Sequence, residues 1–312
     1  MKYLDFINKQ ICKTVLKPKK IVLFGQNITA GSHLGGLTKK LQVNDKSKII
    51  NSTNSENSLC GFGFGLMMNN VSSVFFMKQL DFLLLGIDHL VNTYNIIRST
   101  KNDLKSSFTI MPIIVDNGYQ GPQSSFNNFA DICSIARIPG YAISTKFEAE
   151  KIISEKLISP GFRIIGISQR LFKNEINELR AIKRNKNLTL IQYAKGSNVT
   201  IVCFNFSFSI GYELLQKFHE RKIKSSLFNI TSLVPISWKT IIEDVKKTKN
   251  LIVIDDSKSQ NVACDNLISQ ILINNNLINV QIIRRSIDDN WLKPNLDNLE
   301  INVSKIIKKL SN

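Results

Sequence analysis

Short β-branched and aromatic runs alternate along this chain with longer stretches of helical pattern, and that alternation constrains the fold more than any other feature. Residues 21–24, 74–76, 110–115 and 163–167 read as strands, and residues 56–69, 81–98, 127–136 and 146–158 between them read as helices. Strands joined through helices run parallel, and a parallel sheet must be covered on both faces. The second half repeats the pattern, with strands at 199–204, 226–230, 251–254 and 280–283 and helices at 210–221, 238–247 and 261–274. In the last of these helices Leu267, Ile268, Ile271 and Leu272 fall on one stripe, which packs the helix on its sheet. Residues 173–195 are polar and charged, so the boundary between two units is expected there. The expected fold is therefore α/β, with two parallel-sheet domains.

At 312 residues the chain is long enough for two such cores. The net charge of +17 raises the question of nucleic acid, yet the lysines are scattered as Lys39-Lys40, Lys183-Arg184, Lys246-Lys247 and Lys308-Lys309. No zinc-finger spacing or aromatic RNP-like motif accompanies them, so no nucleic-acid partner is expected. The five cysteines, Cys12, Cys60, Cys133, Cys203 and Cys264, form no framework, which suits a reducing cytoplasm. The densest apolar stretch, residues 71–91, is broken by Lys78, Asp81, Asp88 and His89, so no membrane span is expected.

The chemistry concentrates in residues 51–65, Asn-Ser-Thr-Asn-Ser-Glu-Asn-Ser-Leu-Cys-Gly-Phe-Gly-Phe-Gly, and in the Asp81-Phe82 pair downstream. Ser52, Asn54 and Ser55 are good helix caps, and Glu56 in the first turn is favoured by the helix dipole. The same carboxylate, with an aromatic ring one strand later, also meets the needs of an aminopyrimidine: an acid for a ring nitrogen and a face for stacking. Gly61, Gly63 and Gly65 on that helix suit close approach to a neighbouring backbone, as at a subunit interface.

These features stand in a longer ordered set. Gly25-Gln26-Asn27, Gly35-Gly36-Leu37-Thr38 and Leu41 precede Ser55-Glu56; Asp81-Phe82, Asp88, Asn92, Arg98 and Ile138-Pro139-Gly140 follow. In that order they resemble the β subunit of the thiamine diphosphate-dependent decarboxylating component of 2-oxo acid dehydrogenases, within the transketolase-like superfamily. The resemblance implies a transketolase-like pyrimidine-binding domain at residues 1–180 and a C-terminal transketolase-type domain at residues 190–312. It implies that thiamine diphosphate is shared between chains, with Glu56 as a buried cofactor-activating acid and Phe82 as the aromatic under the pyrimidine. Members that hold the diphosphate and Mg2+ carry Gly-Asp-Gly, which is absent here. An α-type subunit would then hold the diphosphate and metal, in an α2β2 heterotetramer.

The chain departs from the family in two places. Gln26 stands where the family has an acid, and the catalytic His expected upstream of Pro139-Gly140 is missing from residues 120–128. Counting back from Pro139 puts Asn127 in its place, with Ser124 and Ser125 nearby; none shuttles protons near neutral pH. Of the three histidines, His89 and His219 read as surface or packing residues, not catalysts. The resemblance thus implies decarboxylation of a 2-oxo acid in the manner of pyruvate dehydrogenase, with acyl transfer to a lipoyl acyltransferase in question. Two other readings stay open: the C-terminal half of a split transketolase-like ketol transferase, and a non-catalytic scaffold subunit.

Overall fold

The computed structural model describes residues 1–101, 103–116, 127–259, 261–274, 279–285, 299 and 301–310. Its first half runs α1 (Tyr3–Val15), β1 (Ile21–Gly25), β2 (Lys48–Asn51), α2 (Glu56–Met68), β3 (Ser72–Met77), α3 (Tyr94–Thr100), β4 (Ser107–Ile114), α4 (Phe129–Ala136), β5 (Gly140–Ile143), α5 (Lys146–Lys156) and β6 (Gly161–Ser168). The six strands form one sheet in the order β2-β1-β3-β4-β6-β5, and every neighbouring pair is parallel. All residues of β1, β4 and β5 are buried, as the near-continuous apolar runs require of a sheet with helices on both faces. One core, around Phe76, Tyr141 and Ile165, lies under α1 and α5, and the other, around Phe64, Phe108 and Phe162, lies under α2 and α4.

The second half runs β7 (Lys183–Arg184), β8 (Leu190–Ala194), β9 (Val199–Phe204), α6 (Phe208–Glu220), β10 (Ser225–Ile230), α7 (Lys239–Thr248), β11 (Asn250–Asp255), α8 (Asp265–Ile273), β12 (Asn279–Arg284) and α9 (Val303–Leu310). Its sheet has the order β12-β11-β9-β10-β8-β7. The first four strands are parallel, whereas β8 joins β10 antiparallel and β7 joins β8 antiparallel. The expected α/β architecture is thus present as two six-stranded, largely parallel sheets, and the short β7-β8 pair lies inside the polar stretch that showed no strand signal. Among the described residues no helix is long and apolar enough to cross a membrane.

The helix expected over 81–98 is instead three pieces: a 3₁₀ segment Leu80–Gly86, a π-helical turn His89–Thr93, and α3. Leu80, Leu83 and Gly86 are its buried positions together with Asp81. A three-residue apolar spacing suits a 3₁₀ turn, in which residues i and i+3 eclipse, better than the 3.6-residue period of an α-helix.

The two sheets meet along a seam of polar contacts. The Glu148 carboxylate in the first turn of α5 accepts from Ser144 N at 2.7 Å and Thr145 N at 3.1 Å, as part of a capping box. It also accepts from Tyr193 of β8 and Asn229 of β10, both at 2.7 Å. Gly140 N donates to Ser232 Oγ at 3.2 Å, and Ala142 N donates to Thr231 O at 2.8 Å. Arg170, after β6, pairs with Asp116 at 3.6 Å and with Asp256, after β11, and both aspartates are fully buried.

Candidate functional site

Glu56 and Phe82 reach the same end of the first sheet by independent routes. Glu56 opens α2 a few residues beyond the carboxyl end of β2, and Phe82 lies in the 3₁₀ segment beyond the carboxyl end of β3. In open α/β sheets ligands bind in the crevice outside these strand ends. The two segments are packed on each other: a Cβ on Gly86 would stand 2.6 Å from Cys60 Sγ and 3.3 Å from Glu56 O. Asn57 Nδ2 also donates to Leu85 O at 3.3 Å. Only glycine at position 86 lets the first turn of α2 lie this close to the 3₁₀ segment.

β1, between β2 and β3, ends in Gly25, whose φ is 150° and whose added Cβ would sit 2.1 Å from Phe76 O. This contact sets the strand ends, and Gly25 O accepts from Ser52 N at 3.0 Å just before α2. Asn51 Oδ1 accepts from Ile28 N at 2.9 Å, fixing the Gln26-Asn27 turn beside them.

In the single chain Glu56 is half-buried, not buried as the resemblance implies, because its side chain projects from a helix start at the rim of the sheet. Phe82 is half-buried against the core that holds Phe64 and Phe108. Both therefore keep part of their surface open to a ligand or a second chain. Around them Phe62 is 42%, Leu84 47% and Leu85 63% exposed, an apolar margin of the kind that marks an interaction site.

The three glycines of α2 separate into two roles. A Cβ on Gly63 would stand 2.3 Å from the Phe108 ring, and one on Gly61 would stand 3.2 Å from His89. These two serve packing within the chain, which corrects the expectation that all three face a partner; only Gly65 meets open space. His89 is accordingly a packing residue, its Nδ1 2.9 Å from Thr93 Oγ1, and His219 is exposed on α6.

Ser124 and Ser125 lie outside the described residues. Asn127, in the position of the missing histidine, is fully buried and donates from Nδ2 to Asp256 O at 2.7 Å, while its Oδ1 has no partner. Its own carbonyl accepts from Lys258 N at 3.1 Å. Asn128 donates to Asp131 Oδ2 at 2.8 Å and to Ser259 Oγ at 2.9 Å. The Asp256–Ser259 turn of the second sheet therefore closes on the segment entering α4. Sequence reading missed this turn, although a polar run directly after the buried strand β11 was its available signal.

The fold is of the transketolase type. The chain superposes on a split-gene transketolase, solved as an inactive β4 tetramer, with a TM-score of 0.74 and 13% identity over 98% of this chain and 96% of that one. In sequence it is similar to the mitochondrial pyruvate dehydrogenase E1 component subunit beta of Dictyostelium discoideum, at 23% identity over 269 residues, 82% of this chain and 74% of the relative. The mitochondrial subunit beta-1 of Arabidopsis thaliana is 22% identical over 283 residues, 86% of this chain and 76% of its own length. No protein-family model matches the chain. The likenesses together support the transketolase-like superfamily.

Proposed function

We propose that this chain is the β-type subunit of a heteromeric thiamine diphosphate enzyme that decarboxylates a 2-oxo acid, with its pyrimidine-binding domain in residues 1–180 and its C-terminal domain in residues 190–312. The observation that carries the proposal is the packing of the Glu56 turn on the Phe82 segment at the carboxyl ends of parallel strands. A half-buried carboxylate and a half-buried aromatic ring suit an aminopyrimidine, which needs one acidic edge contact and one stacking face. When bound, thiamine diphosphate supplies the electron sink for breaking the bond next to the carbonyl.

The part of this chain is to hold and orient. Glu56 would hold a proton at the 1′ ring nitrogen, a role that gains strength once a second chain covers the open side and desolvates the carboxyl. Phe82 would carry the ring face. The exposed Phe62, Leu84 and Leu85 supply the surface that an α-type partner would cover, in an α2β2 assembly whose partner holds the diphosphate and Mg2+. The side chain of Asn127 does not titrate near neutral pH, so transfer to a lipoyl arm falls outside the proposal. A cytoplasmic location is proposed with it, in keeping with five free cysteines.

Co-purification with an α-type partner, followed by a screen of 2-oxo acids for carbon dioxide release, tests this reading. Release from at least one acid, dependent on both chains, is expected. Ketol transfer from a sugar phosphate without such release would point to the split-transketolase reading, and a complex with neither activity would point to a scaffold.

A further inference from the structure

The fold gathers lysines that the sequence scatters. Lys13 lies in the last turn of α1, and Lys17, Lys19 and Lys20 fill the turn that leads into β1. Lys39 and Lys40 are held against the same helix end, since Asn8 Nδ2 donates to Lys39 O at 3.0 Å and Cys12 Sγ stands 3.8 Å from the carbonyls of both. Lys46 and Lys48 join them at the start of β2: Asn44 Nδ2 donates to Pro18 O at 2.5 Å, Ser47 Oγ accepts from Ile21 N at 3.0 Å, and Lys48 pairs in register with Val22. All eight residues are exposed, and among the described residues none of them forms an ion pair, whereas Lys146 and Lys217 elsewhere each pair with a glutamate. Asp45 is the one acid in the sequence between Asp5 and Glu56.

Like charges crowded on one corner repel one another, and a surface of opposite charge relieves the repulsion. The helix dipole accounts for Lys13 and Lys17 at the end of α1 and for none of the others. The corner lies at the amino ends of β1 and β2, whereas Glu56 and Phe82 meet beyond the carboxyl ends of the strands, so it stands apart from the candidate site. Between Lys13 and Lys17, Leu16 is 50% exposed. Residues 13–48 contain no arginine, and their one aromatic ring, Phe24, is buried. Nucleic-acid recognition draws on arginine forks and on aromatic faces for the bases. Compact ammonium groups on flexible stems around an exposed leucine suit a lipid surface instead, where headgroup charge is diffuse and an apolar side chain enters the acyl boundary. We infer that this corner docks the chain on an anionic membrane surface, as a peripheral contact made without a spanning helix, with the crevice of the candidate site turned away from the bilayer.

The test is co-sedimentation of the full chain with lipid vesicles. Binding is expected to vesicles of phosphatidylcholine and phosphatidylserine in about a three-to-one ratio, with none to phosphatidylcholine alone and with release in high salt. Lys13→Gln, Lys17→Gln, Lys19→Gln and Lys20→Gln combined should weaken that binding by about 100-fold or more, at roughly fivefold per lysine. The same change at Lys224, Lys239, Lys246 and Lys247, which are exposed in the second half of the chain, removes equal charge and should alter binding by less than about threefold. Leu16→Ser should weaken it by about fivefold. If the first combination does not fold by circular dichroism, Lys39→Gln, Lys40→Gln, Lys46→Gln and Lys48→Gln combined carry the same comparison. Equal binding to phosphatidylcholine vesicles, equal loss from the two distant sets of lysine changes, or undiminished binding by a folded corner variant overturns the proposal. A chain that binds duplex RNA and no vesicle assigns the corner to nucleic acid and overturns it as well.

Discussion

Asn229, in β10, donates its side-chain amide to the Glu148 carboxylate at 2.7 Å, which ties the second sheet to the first turn of α5 in the first. Glu148 is fully buried, and burial pushes its carboxyl above the usual range while donors from Asn229, Ser144, Tyr193 and Thr145 pull the other way. Glu148→Ala strands all four donors and should cost roughly 3 kcal/mol or more of stability. Glu148→Gln, which keeps one acceptor but turns an N–H toward the donors, should cost roughly 1–3 kcal/mol. Urea unfolding midpoints check both values, and a near-neutral Glu148→Ala would remove this residue from the account of the seam.

Asp255, at the end of β11, gives the fold an acid-side stability signature. Burial pushes its carboxyl from 3.8 up to about 6, despite bonds from Ser257 and Cys264. Above pH 6 the group is charged in both folded and unfolded chains, and the folded chain bears the cost of burying it. As pH falls through the interval, the folded form takes up the proton first, so this group raises stability until the unfolded chain protonates as well. Relative to Asp255→Asn, the wild type should therefore gain on the order of 2 kcal/mol between about pH 7 and about pH 4. Parallel urea midpoints for the two proteins check the slope; a pH-independent difference would contradict the burial argument.

The helix of Glu56 offers a contrast between two glycines two residues apart. Gly63→Ala would drive a methyl into the Phe108 ring and should destabilise the chain by roughly 1–3 kcal/mol. Gly65→Ala meets open space and should stabilise the isolated chain by roughly 0.5–1 kcal/mol. If the exposed face of α2 is covered by the α-type subunit, Gly65→Leu should lower the yield of co-purified complex without lowering the melting temperature of the isolated chain. Equal complex recovery would move the partner to another face.

The strands whose apolar runs lie buried in the sheets were legible because burial on both faces writes itself as an uninterrupted apolar run, as in β4 and β9. Two of the edge strands, β2 and β7, wrote no such run: three residues of β2 are exposed and the fourth is half-buried, and β7 is wholly exposed. α1 was overlooked although Tyr3, Leu4, Ile7, Ile11, Thr14 and Val15 give a helical stripe. At the candidate site the Glu56 and Phe82 segments could be found from local chemistry, since an acid at a helix start and an aromatic after a strand are local patterns. The approach of Asp256 and Lys258 to Asn127 was not legible, because it joins residues more than a hundred positions apart and depends on how the two sheets meet.

The most direct test of the central claim compares wild type with Glu56→Gln in the complex with an α-type partner, measuring carbon dioxide release from the 2-oxo acid that the wild-type complex turns over. The substitution keeps the shape of the side chain and removes its proton chemistry, so turnover should fall by about 100-fold or more with the complex still assembled. Near-normal turnover in an intact Glu56→Gln complex would contradict the account and leave Glu56 a residue of the helix start alone.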